Sequence, residues 1–365
     1  MMRTVICGAG AIGVSIAYFL ARRGAAVTVI ESSGVGNAAS GKSGGFLARD
    51  WCDGSPLAAL ARRSFALHAE LAETFADQWG YRRVATYGGL AGYPGLRGGG
   101  YELGWLSDRV VVGQALGTAD DTAQLDPARF TRAMMRAAAA LGAELRPGRV
   151  TGLLRDGERV AGVVTENGTV EAEAAVIAMG PWSVLAARWL RLPPVFGLKG
   201  HSLLFDTGTA VPAEAVFVEY REPTGAVQSP ELFPRPDGTT YVCGLSSQEP
   251  LPLDPARVAA DAGTSARLER ICAALSPVLA GAPILARQAC YRPVTQDGLP
   301  LIGPVRGAPG AYVATGHSVW GMLNAPATGE AMAELILDGA ARTVDLAPFD
   351  PARLPPLDPA RLTGV

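Results

Sequence analysis

The chain has 365 residues, of which 48% are hydrophobic, 18% are charged, 45 are glycine and 27 are proline. This composition excludes a disordered, collagen-like or coiled-coil protein, and the length predicts two domains or one large α/β unit. The formal net charge is only −2 at pH 7, so the chain offers no field of one sign to attract nucleic acid or an anionic membrane surface.

The cysteines and histidines favour neither a disulfide framework nor a metal site. The five cysteines are scattered without a CxxC pair, and the three histidines lie far apart, so we expect no metal and a reducing, cytoplasmic location. Glycines interrupt the apolar segment 4–21, which argues against a signal peptide. No later stretch reaches the roughly 18 apolar residues of a membrane span.

The first 31 residues predict a complete β–α–β unit. Residues 4–7 are typical of a buried strand, residues 12–23 of an apolar helix and residues 26–30 of a second strand. Glu31 stands at the end of that second strand. The turn between the first strand and the helix has three glycines at fixed offsets, in the order Gly8-Ala9-Gly10-Ala11-Ile12-Gly13.

This turn predicts a dinucleotide site. Gly8 permits the tight turn, Gly10 lets the backbone approach a pyrophosphate, and Gly13 lets helix and strand pack closely. The N-terminus of the helix, at Ala11 and Ile12, supplies N–H groups and a favourable dipole for phosphate. Glu31 is positioned to accept hydrogen bonds from a ribose hydroxyl. The motif alone leaves both NAD and FAD open.

A second loop of functional character covers residues 32–53. It is rich in glycine and serine, and loops of this length without regular structure are usually functional or disordered. It holds Lys42, which with Lys199 makes up all the lysine of the chain. A lysine retained among so many arginines is a candidate for a compact ammonium that a guanidinium cannot replace.

The rest of the chain is predicted as strands interspersed with helices. The sequence predicts a helix over 55–79 with His68 on its surface, helices near 126–141, 256–275 and 325–337, a hairpin over 150–165, a buried strand over 175–178, and mainly strands over 195–291.

Three segments now point to one family. They are the GAGAIG unit ending in Glu31, the loop ASGKSGGFLA at residues 39–48, and a C-terminal pair, YRPVTQDGLPLIG at 291–303 and TGHSVWGMLNAPATG at 315–329. Together they resemble the FAD-dependent amine oxidoreductases of the D-amino-acid oxidase type, which include glycine oxidase and sarcosine oxidase. The resemblance covers essentially the whole chain, and only the terminal motifs are specific.

The resemblance implies a mixed α/β fold in which a Rossmann-like FAD-binding domain is interleaved with a substrate domain built on a large mixed β-sheet. The FAD-binding domain is expected at 1–85, 120–195 and 290–345. The substrate domain is expected at 86–119 and 196–289, and a C-terminal tail at 346–365.

The resemblance also implies which residues hold an extended FAD. Beyond the glycine turn, Glu31 and Ser32, these are the loop around Lys42, the adenine contact at Val150, the turn near the ribityl chain and the segment beside the flavin pyrimidine ring. The loop around Lys42 also contributes Ser43, Gly44 and Gly45, and the turn near the ribityl chain contributes Gly180 and Trp182. The segment beside the pyrimidine ring contributes Gly316, His317, Val319, Trp320, Gly321 and Met322. Cys290 lies one position from the cysteine that carries a covalent flavin in sarcosine oxidases, so non-covalent FAD is favoured.

The implied substrate is an amine, and an amino acid is expected. Arg292 matches the arginine that grips the substrate carboxylate in glycine oxidase and its relatives, although a structural ion pair would also use an arginine. Glu231 either holds a substrate ammonium or pairs with an arginine. Trp320 either walls the site or belongs to the core. Lys42 is expected to assist reoxidation by dioxygen, and His317 completes the catalytic candidates.

The implied chemistry is oxidation of a primary or secondary amine by hydride transfer to flavin, with dioxygen as the acceptor and hydrolysis of the imine product. Two alternatives remain open. One is a dehydrogenase that passes electrons to a carrier protein or a quinone. The other is a flavoprotein that acts as an assembly or regulatory factor. The sequence leaves the substrate side chain, its chirality and the oligomeric state undetermined.

Overall fold

The computed structural model describes residues 1–362. The α-helices of this part of the chain are α1 (Ala11–Arg22), α2 (Ala58–Thr74), α3 (Pro127–Ala140), α4 (Ala262–Leu275), α5 (Pro277–Gly281) and α6 (Gly321–Asp338). The strands are β1 (Arg3–Cys7), β2 (Ala26–Glu31), β3 (Phe46–Ala48), β4 (Arg82–Arg83), β5 (Ala85–Ala91), β6 (Val110–Gly117), β7 (Thr122–Gln124), β8 (Glu144–Pro147), β9 (Val150–Asp156), β10 (Arg159–Thr165), β11 (Gly168–Glu171), β12 (Ala174–Ile177), β13 (Phe196–Asp206), β14 (Glu214–Arg221), β15 (Val227–Gln228), β16 (Glu231–Pro234), β17 (Thr239–Ser247), β18 (Ile284–Val294), β19 (Leu301–Pro304) and β20 (Ala311–Thr315).

The first layer is a six-stranded sheet in the order β19-β20-β12-β1-β2-β8. Its strands are parallel except for β19, which runs antiparallel to β20. Strands β1 and β12 lie at the centre and bury almost every residue, as expected for parallel strands that are covered on both faces. Helix α1 connects β1 to β2 and packs closely against α3 and α6. The predicted β–α–β unit is therefore confirmed.

The second layer is an eight-stranded mixed sheet. Its order is β18-β13-β17-β16-β14-β5-β6, and β15 pairs with β14. Strands β14 and β5 pair in parallel and the other neighbours are antiparallel. Helix α4 packs its apolar side chains onto the inner strands of this sheet. The mixed α/β fold with a large mixed sheet is confirmed.

Two small sheets complete the architecture. Strands β9, β10 and β11 form an antiparallel meander that contains the predicted hairpin. Strands β3, β4 and β7 form a short antiparallel sheet. In the C-terminal segment, the Leu357 N–H donates to the Leu192 carbonyl, and Arg353 forms an ion pair with Asp297 at 2.7 Å. The segment after 346 is thus packed onto the molecule as far as the structure describes it.

The proposed domain division stays a prediction, but two of its boundaries fall within strands. Strand β18 runs through residue 290 and pairs along its whole length with β13. Strand β5 begins at residue 85, just before the predicted boundary at 86. Both strands belong to the large sheet, because hydrogen bonding in a sheet continues until the backbone turns away.

Three helices differ from the sequence prediction. Helix α2 ends at Thr74 rather than near 79, because Ala76 and Asp77 adopt positive φ angles of 50° and 47°. Helix α4 begins at 262, where the Asp261 side chain accepts the Thr264 N–H. Helix α6 begins at 321 instead of 325 and carries a proline inside it. None of the helices within residues 1–362 has the length and apolar character needed to cross a membrane.

The candidate flavin and substrate site

An elongated cavity lies between the two main sheets. One end is lined by Glu31, Ser32 and Val150, beside the carboxyl ends of the parallel strands. The other end is lined by Arg292 and Glu231 from the large sheet. Ligands of open α/β sheets bind at the carboxyl ends of the strands, so the position of the cavity fits a ligand that extends from one sheet to the other.

The turn before α1 fits a pyrophosphate group. Gly8 has φ of +109°, and a Cβ there would lie 2.5 Å from the Ala178 carbonyl oxygen. Gly10 is the N-cap of α1 and provides no side-chain cap, and the first turn contains no acidic residue. The Ser40 hydroxyl accepts the Ala11 N–H, so the next N–H groups of the first turn and the positive end of the helix dipole remain available to an anion at the cavity.

Gly13 has a different role from the first two glycines. It does not line the cavity. A Cβ at this position would lie 2.0 Å from the Gly8 carbonyl oxygen and 3.4 Å from the Ile6 side chain. This is the close packing of helix on strand that the sequence predicts for the third glycine.

The Glu31 carboxylate is fixed at the end of β2. One oxygen accepts the Ala9 N–H at 2.8 Å, and the other accepts the Ser33 N–H at 2.7 Å and the Ser33 hydroxyl at 3.0 Å. Three donors from the loops on either side hold it in one orientation at the cavity wall. A carboxylate can accept further hydrogen bonds, so it fits the hydroxyl groups of a ribose.

The glycine-rich loop at residues 39–45 is held from both sheets. Ser40 accepts the Ala11 N–H at 2.8 Å through its hydroxyl. The Tyr241 hydroxyl donates to the Lys42 carbonyl at 3.1 Å, and the Arg235 guanidinium donates to the Ser43 carbonyl at 3.2 Å. These contacts place the backbone of the loop along the cavity between its two ends.

The absence of side chains at two positions of this loop allows it to pack closely. A Cβ at Gly44 would lie 2.4 Å from the Phe233 ring. A Cβ at Gly45, where φ is +75°, would lie 2.0 Å from the Leu125 carbonyl oxygen. Gly44 lines the cavity, whereas Gly45 lies behind it.

Arg292 lies at the end of the cavity formed by the large sheet. Its guanidinium lies over Gly200 on the neighbouring strand, where a Cβ would be 3.3 Å from the nearest guanidinium nitrogen. The guanidinium also donates to the Ser246 hydroxyl at 3.4 Å. Within residues 1–362 no carboxylate lies within 4.0 Å of it, so the structural ion pair that the sequence left open is not present.

A half-buried carboxylate, a buried thiol and a half-buried thiol lie near this arginine. Burial raises the pKa of Glu231, and the charge of Arg292 opposes that effect. The Cys243 thiol lies 3.4 Å from a Glu231 oxygen and donates to it. Burial also raises the pKa of the Cys290 thiol, against the opposing charges of Arg292 and Lys42. At neutral pH both thiols are therefore protonated.

The segment before α6 lines the opposite wall. His317, Val319 and Met322 all line the cavity. His317 is fully buried, its ring lies 3.1 Å from the Thr328 hydroxyl, and burial lowers its pKa to about 3. It is thus a neutral imidazole at physiological pH. The positive end of the α6 dipole faces this wall and favours negative charge there.

The structure brings together most of the predicted site residues and leaves five outside. Those that line the cavity are Gly8, Gly10, Ala11, Ile12, Glu31, Ser32, Ser43, Gly44, Val150, Gly180, Trp182, Glu231, Arg292, His317, Val319, Gly321 and Met322. Those that do not line it are Gly13, Lys42, Gly45, Gly316 and Trp320.

The last two of these have clear structural surroundings. Trp320 packs against the core formed by α1, α2 and α6. Gly316 has φ of +81°, and a Cβ there would lie 2.7 Å from the Thr295 side chain. Both residues therefore lie behind the cavity wall rather than lining the cavity.

Sequence reasoning missed several residues that line the cavity. Tyr241 and Cys243 lie on one face of β17, and Gly200 lies on β13. Leu253 and Pro255 come from the connection between β17 and α4. An alternating strand pattern shows which residues share a face, but it does not show which face meets the nucleotide.

Lys199, the second of the two lysines, has a structural partner. Its side chain is only 8% exposed and forms an ion pair with Glu249. Next to that pair, the Tyr291 hydroxyl donates to the Pro250 carbonyl at 2.8 Å, and the Trp182 indole N–H donates to the Pro252 carbonyl at 2.7 Å. These contacts hold the connection between β17 and α4 against the cavity.

The parallel sheet, the glycine turn, the fixed carboxylate and the cavity that continues onto a mixed sheet define a dinucleotide-dependent oxidoreductase. The family model for FAD dependent oxidoreductases (DAO) matches residues 3–335. The chain therefore belongs to the DAO family of FAD-dependent oxidoreductases.

Individual relatives agree with this assignment. A Schizosaccharomyces pombe protein named only as an oxidoreductase is 31% identical, with 95% of this chain and 97% of that protein covered. The Geobacillus kaustophilus glycine oxidase is 30% identical over 95% of this chain and 96% of its own. Its crystal structure superposes with a TM-score of 0.80 at 26% identity, covering 97% and 99%. A D-amino acid dehydrogenase of Cereibacter sphaeroides is 31% identical over 71% of this chain and 55% of its own.

FAD is the cofactor, and the residues present fit it. The N-terminus of α1 and the glycine at 8 suit the pyrophosphate, and the Glu31 carboxylate suits a ribose. The cavity then continues past Ser43 and Gly44 to Arg292, so its lining suits an extended molecule.

Proposed function

We propose that the protein oxidises the amine of a small amino acid, with Arg292 binding the substrate carboxylate. The observation that carries the proposal is a cavity-lining guanidinium that has no carboxylate partner within the described residues. A guanidinium binds a carboxylate through two parallel, charge-assisted hydrogen bonds and keeps its charge at every working pH.

FAD bound in this cavity would supply an acceptor for the hydride that leaves the carbon next to the substrate nitrogen. The chain itself supplies orientation and electrostatics. Arg292 fixes the carboxylate. Ser246 accepts a hydrogen bond from the guanidinium, and the missing side chain at Gly200 leaves the room that the guanidinium occupies. The imine product hydrolyses in water after release.

The proposed flavin linkage is non-covalent. Cys290 lines the cavity as a half-buried thiol with a raised pKa, and a protonated thiol is a poor nucleophile. Trichloroacetic acid precipitation of the purified protein tests this: we expect the yellow colour to remain in the supernatant, whereas colour in the pellet would show a covalent bond.

The decisive experiment follows the visible spectrum of the FAD-loaded protein without oxygen while amines are added one at a time. We expect small α-amino acids to bleach the flavin absorbance, and amines without a carboxylate to do so far more slowly. A panel of amines that leaves the spectrum unchanged would refute amine oxidation and favour an assembly or regulatory flavoprotein.

Replacing Arg292 tests the assignment of the carboxylate site. Losing a charge-assisted, bidentate pair costs about 2–4 kcal/mol of binding, so Arg292→Ala is expected to raise the apparent KM about 30-fold or more, at about 1.4 kcal/mol per tenfold change. FAD content should be retained, because Arg292 lies at the substrate end of the cavity. Unchanged kinetics would remove Arg292 from the site.

A dehydrogenase that passes its electrons to a quinone or a carrier protein is the second candidate function. The similarity to a D-amino acid dehydrogenase favours keeping it. Formation of hydrogen peroxide during turnover under air would identify an oxidase, while turnover that requires an added quinone would identify a dehydrogenase. Either enzyme would work in the cytoplasm, a location that the five unpaired cysteines support.

A further inference from the structure

The substrate end of the cavity holds a guanidinium and a carboxylate that do not pair with each other. Glu231 and Arg292 both line the cavity and influence each other electrostatically. Within residues 1–362 their charged atoms are more than 4.0 Å apart. Each is held by its own neighbour: Cys243 donates to Glu231, and Ser246 accepts from Arg292, both at 3.4 Å.

Both groups face the cavity, so an α-amino acid, which carries a carboxylate and an ammonium on one carbon, finds a partner of opposite charge for each of them. With its carboxylate on Arg292, the zwitterion directs its ammonium across the gap towards Glu231. Opposite charges buried together also satisfy each other, which lowers the cost of bringing a zwitterion out of water.

We propose that Glu231 is a catalytic residue that accepts a proton from the ammonium of the bound substrate, an inference that rests on the proposed amine oxidation. The proton moves from the substrate nitrogen to a carboxylate oxygen, so two charged groups become a neutral amine and a carboxylic acid. The nitrogen lone pair then forms the C=N bond as hydride leaves the α-carbon, and the two electrons of that hydride reduce the FAD. The amine is thus oxidised to an iminium.

Other titratable groups around Glu231 are less suited to accept this proton. Cys243 and Tyr241 on the neighbouring strand, and the half-buried Cys290 on β18, have raised pKa values and are already protonated at neutral pH. Arg292 is a permanent cation. His317 across the cavity has a pKa lowered to about 3, which makes it a weak base.

The environment of Glu231 also matches this role. Burial raises its pKa, and a carboxylate that is more basic than usual is a better proton acceptor. Its hydrogen-bond donor among the described residues is a thiol, which is a weak donor and does not stabilise the charged form strongly. One oxygen remains open to the cavity, because only the other is engaged.

The test compares the wild type with Glu231→Gln, both loaded with FAD, by rapid anaerobic mixing with the amino acid that reduces the wild type fastest. We expect the variant to reduce its flavin about 100-fold more slowly near neutral pH, the usual size of a lost proton-transfer group. The rate should recover as the pH rises through the pKa of the free substrate ammonium, because the amine then arrives already neutral.

The control is Glu219→Gln, which removes one carboxylate from β14 of the same sheet, where it is exposed and bonded to Tyr93. It should leave the pH profile unchanged. A rate of Glu231→Gln that falls by the same factor at every pH, or does not fall, would overturn the proton-acceptor role. If no amine reduces the wild type, the proposed function itself fails.

A second measurement does not depend on turnover. 2-Aminoisobutyrate has no hydrogen on its α-carbon, so it can bind but cannot lose a hydride. Infrared difference spectra should show a new protonated-carboxyl band when it binds to the wild type, and no such band in Glu231→Gln. A wild-type spectrum without that band, despite saturation binding, would also contradict the proposal.

Discussion

Lys42 and Lys199 show how the same residue type, beside a glycine in both cases, ends in two environments. Lys199 is buried and paired with Glu249. The side chain of Lys42 has no carboxylate partner within 4.0 Å among the described residues, and its charge acts on the Cys290 thiol at the cavity wall. Lys42 does not line the cavity itself, so any influence on the flavin is electrostatic.

Replacing Lys42 by methionine should slow reoxidation of the reduced protein by dioxygen much more than its reduction by substrate. Removing a positive charge near a site that holds negative charge costs on the order of 1.4 kcal/mol, or about tenfold in rate. Stopped-flow measurement of the two half-reactions separates them. Equal effects on both, or no effect, would reject this role for Lys42.

Lys199→Met is the matched control. It removes the only other lysine from a neighbouring region, and it should loosen the connection between β17 and α4 without a selective effect on reoxidation. If this variant also reoxidised selectively more slowly, the effect would come from the total charge of the protein rather than from the position of Lys42.

At the scale of elements, the first turn of α6 is held in place by hydrogen bonds from α2. Pro326 lies inside the helix and has no N–H, so the Met322 carbonyl has no donor from its own helix. The His68 ring on α2 lies 3.0 Å from that carbonyl and 3.1 Å from the Leu323 carbonyl. Because carbonyls only accept, the ring nitrogen that faces them carries the proton.

Ser64 completes this arrangement one turn earlier on α2. The Ala327 N–H, which in a regular helix would bond to Leu323, donates to the Ser64 hydroxyl at 3.1 Å. Ser64 and His68 are four residues apart and so share one face of their helix. They fix the start of α6, whose Met322 lines the flavin cavity.

His68→Leu should destabilise the protein and reduce FAD occupancy together. Two buried carbonyls would lose their donor, at about 1–3 kcal/mol for each unsatisfied group. His68→Gln, whose amide can donate, should retain more of the stability. Denaturant unfolding of the FAD-loaded proteins measures the stability of both variants, and their flavin absorbance measures the FAD occupancy. A leucine variant as stable as the wild type would show that the ring donates no useful hydrogen bond.

At the scale of the whole molecule, two buried imidazoles link stability to pH. Burial lowers the pKa of His68 from 6.5 to about 4 and that of His317 to about 3. The two imidazoles therefore bind protons more readily in the unfolded chain than in the folded chain. Their contribution is complete above about pH 6.5 and is lost as the pH falls towards 4 and below, at about 1.4 kcal/mol per pKa unit.

We therefore expect the midpoint of thermal unfolding to fall steadily between about pH 6.5 and pH 4. The His68→Gln variant should show a shallower decline, because one of the buried imidazoles that titrate is absent. Calorimetry at a series of pH values checks this. Parallel curves for wild type and variant would show that His68 does not contribute to acid sensitivity.

The FAD-dependent class followed from the resemblance of three segments that are spread along the chain. The residues themselves determined the β–α–β unit, its turn with three glycines and the carboxylate of Glu31 at the end of β2. These features depend on neighbouring residues, since a turn, a helix start and a short parallel crossover are local in the chain. Arg292 and Glu231 were candidates from resemblance and strand alternation. The position of one relative to the other was not predictable, because it depends on how strands that are far apart in the sequence pair in the sheet.

Only the tertiary structure decided that the Glu231 carboxylate and the Arg292 guanidinium face the same cavity. They are 61 positions apart, and they face one cavity because β18, β13, β17 and β16 pair in that order, with a register shift after His201. The same holds for His68, which the helical pattern placed on the surface. It is buried because a proline in α6, more than 250 residues later, leaves carbonyls that need a donor, and only packing brings the two helices together.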